Sequence, residues 1–87
     1  GPPPPRAWEN RWPESFERFN RVRPALIALA EESQLPVENL LAPDHLRRLL
    51  WDSPATTDDA EVDARLAGLG ARQWQRELAV PVITKLW

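Results

Sequence analysis

The chain contains no cysteine, a single histidine and three glycines among 87 residues. Without cysteine there is neither a disulfide framework nor a thiolate zinc cluster, so burial of apolar surface must hold the fold together unaided. His45, with no thiol beside it, closes off histidine-based metal sites and nucleophile–histidine pairs. Its place between Asp44 and Leu46 reads as an exposed position in the first turn of a helix. Gly1, Gly68 and Gly70 are too few and too scattered for a phosphate-cradling loop, so nucleotide hydrolysis finds no support. No apolar run approaches the roughly 20 residues needed to cross a bilayer, and no basic segment followed by an apolar one opens the chain. A soluble protein of the cytoplasm is expected, with no membrane partner and no cofactor.

At 87 residues the length allows one core, and a chain of this size buries only roughly 60% of its unfolded surface. The first residues, Gly1-Pro2-Pro3-Pro4-Pro5, favour an extended polyproline conformation, because each ring fixes φ and removes a backbone donor. Gly1 to about Asn10 is expected to be a semi-rigid linker, with Trp8 and Trp12 folding its end back onto the body. The expected division is a linker over residues 1–12 and a domain over 13–87, and the start without an initiator methionine suggests a piece of a larger parent.

From Pro13 the pattern becomes helical. Phe16, Phe19, Val22, Leu26 and Ala30 recur at three- and four-residue steps and mark a buried stripe. Pro24 interrupts it, and a kink or break is expected near Arg21 to Arg23. Gln34-Leu35-Pro36 ends the segment, and Val37, Leu40 and Leu41 make a short amphipathic turn. Ala42-Pro43-Asp44 starts a third helix, with Leu46, Leu49 and Leu50 inward, Arg47 and Arg48 outward, and Trp51 at its end. Thr56 or Thr57 can cap a fourth, with acids in its first turn, Val62, Leu66 and Leu69 buried, and Gly70 stopping it in a left-handed cap. A last helix carries Trp74, Leu78, Val82 and Leu86 at near-heptad spacing and is expected to bend at Pro81. Trp51 and Trp74 read as core residues. No stretch alternates with period two, so the fold class is all-α, a compact bundle of about five short helices.

Two clusters invite functional readings. Asp58-Asp59-Ala60-Glu61-Val62-Asp63 contains an Asp-x-Glu triplet, the spacing with which two-metal exonucleases hold cations. On a helix, however, i and i+2 side chains diverge by about 200°, and carboxylates at a helix start are explained by the macrodipole. No metal site and no catalytic residue is assigned. The net charge of −2 argues against a strong, sequence-independent grip on nucleic acid. Its distribution is uneven: Arg18, Arg21 and Arg23 lie in the first helix, Arg47 and Arg48 in the third, and Arg72, Arg76 and Lys85 in the last. Asp52 to Asp63 is purely acidic.

The run Leu35-Pro36-Val37-Glu38-Asn39-Leu40-Leu41, followed by Ala42-Pro43-Asp44-His45-Leu46-Arg47-Arg48-Leu49, resembles the most recognisable stretch of helicase-and-RNase-D C-terminal (HRDC) domains. Leu26 to Glu32 and Leu66-x-x-Leu69-Gly70-Ala71-Arg72-x-Trp74-Gln75 are similar too, most closely to the C-terminal copies of RNase D-like exonucleases. The resemblance covers about Pro13 to Trp87. It implies a five-helix, non-catalytic, RNA-binding accessory module of a 3′–5′ exoribonuclease that trims RNA and tRNA 3′ ends. Arg18, Arg21, Arg47 and Arg48 are the expected contacts to the phosphate backbone, the partners being RNA and the parent's catalytic domain, and the isolated domain a monomer. Two alternatives stand beside this: a module that only docks on the catalytic domain, and the corresponding domain of a RecQ-type helicase.

Overall fold

The computed structural model describes residues 1–87 and contains five α-helices and no strand. They are α1 (Pro13–Glu32), α2 (Val37–Leu40), α3 (Pro43–Leu50), α4 (Asp59–Leu69) and α5 (Gln73–Lys85), preceded by a 3-10 turn at Pro5–Ala7. The all-α class read from the sequence is the one observed. A radius of gyration of 12.0 Å matches the roughly 12 Å of one compact domain of this length.

Pro13 opens α1 at a first-turn position, where its missing N–H leaves no bond unmade. The helix then runs through Pro24 as one element, so the expected break near Arg21 to Arg23 does not occur. Pro24 deprives the Asn20 carbonyl of its helical donor, but Asn20 and Pro24 are both exposed, and water can satisfy that carbonyl. The interior-proline cost of about 3 kcal/mol is opposed by burial of Val22 and Leu26 on the opposite flank. Pro81 in α5 is arranged alike, exposed and four residues after exposed Glu77.

Two helices end in the same motif. In α4 the Gly70 amide donates to the Ala67 carbonyl and the Ala71 amide to Leu66, each at 3.0 Å, with Gly70 at φ +105°. In α1 the Gln34 amide donates to Glu31 at 3.1 Å and the Leu35 amide to Ala30 at 2.9 Å, with Gln34 at φ +57°. Both are Schellman closures. The start of α4 is capped by Asp58, whose Oδ1 accepts from the Glu61 amide at 2.8 Å. Thr57, expected as a possible cap, instead donates its hydroxyl to the Glu61 carboxylate.

Fifteen buried apolar side chains form a single core, drawn from every helix and from Trp8. Trp8 is wholly buried; its Nε1 donates to the Pro3 carbonyl at 2.8 Å and its ring meets Phe19 edge-on at 5.6 Å. Pro4 keeps polyproline angles, φ −62° and ψ 146°. The segment expected as an extended linker thus turns back and supplies the core with its largest residue, because a buried indole removes far more apolar area from water than a proline-rich strand can.

The last helix differs from its expected register. Ala79, Val80 and Ile83 face the core, while Trp74 and Leu78 are 43% and 38% exposed. The first half of the near-heptad series, Trp74 and Leu78, is displaced from the buried face, while Val82 and Leu86 pack partly buried against the core. Trp51 is half-buried, its ring edge-on to Trp12 at 5.5 Å. Arg76 fastens α5 to α4, donating to the Asp63 carboxylate at 2.8 Å and to the Ala71 carbonyl at 2.6 Å.

Candidate nucleic-acid interface

The four arginines expected at the interface divide into two pairs. Arg18 lies on the core side of α1, 4% exposed. Its Nε donates to the Trp87 carbonyl at 3.0 Å, one terminal nitrogen donates to Ser53 Oγ at 2.8 Å, and the guanidinium stacks over the Trp87 ring at 4.6 Å. Burial, followed by the neighbouring Arg21 charge, lowers its pKa, against which Glu14 acts. Arg21 is exposed, but its donors reach the Leu86 carbonyl at 3.2 Å and the Trp87 carbonyl at 3.0 Å. Both residues therefore tie α1 to the end of α5. As placed, Arg18 does not offer its guanidinium to a ligand. The reason is positional: Ser15, Arg18, Val22, Leu26 and Ala30 step by three and four residues, so Arg18 shares the stripe that carries the core.

Arg47 and Arg48 project outward from α3, as expected. Their side chains retain 38% and 46% of full exposure. Asp44 stands between them, 2.7 Å from Arg48 Nε and 3.6 Å from the Arg47 guanidinium. The hydrogen bond from Arg48 is the main cause lowering the Asp44 pKa, with desolvation opposing and both arginine charges adding. Two cations thus share one carboxylate.

A residue not assigned to the site from the sequence completes the group. Arg23 is exposed, forms no ion pair, and lines a cleft with Arg47 on the facing helix. The cleft, of about 210 Å³, has mainly apolar walls from α1, α2 and α3, including Phe19, Leu26, Val37 and Leu46. Arg23 is four residues after Phe19, so that spacing already placed it on the flank of the stripe rather than beneath it. Histidine and carboxylate side chains gather nowhere into a group of three that could hold a metal ion. Three carboxylates of the acidic segment are engaged locally: Asp58 caps α4, Glu61 meets Thr57, and Asp63 meets Arg76.

His45, expected to be exposed, is half-buried, with its Nδ1 enclosed and unpartnered. Its ring faces Gly70 at the end of α4. The side chain is a packing element between two helices rather than a free surface group.

These features define a small all-α domain with a cationic rim around an apolar cleft. A family model for the 3′ to 5′ exonuclease C-terminal domain matches residues 1–86, and the chain belongs to that family. The crystal structure of a protein from Bifidobacterium adolescentis is 35% identical, superposes with a TM-score of 0.81, and is matched over 99% of this chain. The chain spans 20% of the length of that protein. No curated protein matches the chain. No helix is long and apolar enough to cross a membrane.

Proposed function

We propose that the domain is the non-catalytic, RNA-binding accessory module of an RNase D-like 3′–5′ exoribonuclease acting on RNA and tRNA 3′ ends in the cytoplasm. Membership of an exonuclease C-terminal family supports the exonuclease setting over a helicase one. The single observation that carries the binding reading is the pair Arg23 and Arg47 on one cleft, with Arg48 next to Arg47 on α3, three accessible cations whose only ion-paired carboxylate is Asp44. A net charge of −2 keeps affinity low and makes it depend on this local excess. The 87-residue chain, a monomer in this reading, is titrated with single-stranded RNA at low and moderate salt. Weak binding at low salt that fades at moderate salt is expected; absence of binding at both ends the proposal.

A second reading has its own observation. Trp74 and Leu78 stand exposed on α5 in line with Val82, which itself lines a groove with Ala25, Ala28 and Leu29 of α1. Exposed large apolar groups at i and i+4 suit docking against another domain. In this reading the catalytic domain of the parent chain covers that face, and the module positions the enzyme rather than the RNA. The two readings use different surfaces and are separable by mutation.

A further inference from the structure

The cleft between α1, α2 and α3 combines features that phosphate contact alone does not require. Its walls are apolar, its rim carries Arg23 on α1 and Arg47 on α3, and none of its lining residues is acidic. At about 210 Å³ it is smaller than the ~300–1,000 Å³ of sites for drug-sized ligands. One planar ring system is the size of occupant it suits. Phe19 forms part of the wall, and its ring is braced by Trp8, which is buried and does not reach the cleft. The proline faces of Pro5 and Pro43 complete a set of flat, rigid surfaces.

We propose that this cleft receives one unstacked base of single-stranded nucleic acid, while Arg23 and Arg47 take phosphates on either side of it. The inference rests on the RNA-binding reading above and adds a base subsite to it. An apolar peptide bearing a carboxylate would share part of this chemistry. Arg23, which has no ion pair, and Arg47, held only at 3.6 Å by the Asp44 carboxylate it shares with Arg48, stand on two helices that line the cleft, which suits a strand with a charge on each side of the inserted base. Stacking tolerates any base, so the site confers preference for unpaired strands rather than for a sequence.

The test measures binding of the 87-residue chain to an oligouridylate hexamer and to an abasic ribose-phosphate hexamer of equal length at low salt. The base should strengthen binding by roughly 5-fold or more. Val37→Phe, which fills the cleft, should bring the intact hexamer down to the abasic level and leave the abasic hexamer unchanged. With 5-iodouridine in the hexamer, photo-crosslinking of the unmutated chain should mark Phe19, a readout that does not depend on any variant folding. Equal binding of the two hexamers, or an adduct confined to Trp74, overturns the base subsite while leaving RNA binding intact. Failure of both hexamers to bind removes the RNA-binding reading with it, and capture of an anionic apolar peptide in their place assigns the cleft to a protein partner.

Discussion

At the scale of single residues the molecule depends on side chains whose roles their types do not announce. Trp8 sits in a proline-rich stretch, yet it is wholly buried, with its one donor satisfied by Pro3. Truncating it removes an aromatic body from the core and the brace behind Phe19. Trp8→Ala should therefore lower the unfolding free energy by about 3–5 kcal/mol, read as a fall in the urea midpoint at unchanged helical signal in the native baseline. A loss below about 1 kcal/mol, the scale of surface substitutions, would show that the N-terminal segment is not integral to the fold. That Trp8 folds back was legible from an aromatic beside a linker; that it anchors the core was not, because composition registers the prolines and cannot register long-range burial. Arg18 carries the converse lesson. Its charge pointed to a surface, but its spacing from Val22 and Leu26 pointed inward, and spacing prevailed because Ser53 and the Trp87 carbonyl answer its donors.

At the scale of elements, sequence signals worked where a residue type has one conformational meaning. Gly70 as a left-handed stop and Pro13 as a helix opener were both readable. Gln34 was not, because the left-handed closure of α1 is imposed on a residue that does not favour it. The same motif at two sites gives a paired expectation of opposite sign. Gly70→Ala should destabilise by about 1–2 kcal/mol through backbone strain; the added Cβ would meet His45 at an ordinary 4.0 Å, so no clash contributes. Gln34→Gly should stabilise by about 0.5–1 kcal/mol, the relieved strain exceeding the added freedom of the unfolded chain. Chemical denaturation of both variants checks this, and a destabilised Gln34→Gly would mean that the glutamine side chain contributes more than its backbone costs. The last helix was misread for a related reason. Trp74 and Leu78 outweigh Ala79 in any hydrophobic pattern, yet Ala79 is the one wholly buried, since a pattern weighs side-chain size and does not say which face of the helix meets its neighbours.

At the scale of the whole molecule, the distribution of charge and apolar surface separates two possible tasks. Of the cations proposed to bind, Arg47 and Arg48 were legible as outward positions on α3, while Arg23 emerges only when α1 and α3 are brought to the same cleft. Helix periodicity orders residues around one axis and is silent on which faces of two helices meet. If RNA binding is the function, each phosphate neutralised on a single strand contributes about 0.7 to the slope of log affinity against log salt. Arg23→Gln with Arg47→Gln should then reduce that slope by about 1.4 and weaken binding at low salt, while Trp74→Ser with Leu78→Ser, on the α5 face, should change neither. Measuring both double variants of the 87-residue chain over a salt series sets the surfaces against each other. Should the α5 pair alter the slope while the arginine pair leaves it untouched, the polyanion would lie along α5, and the cationic rim of the cleft would have to be explained by something other than phosphate.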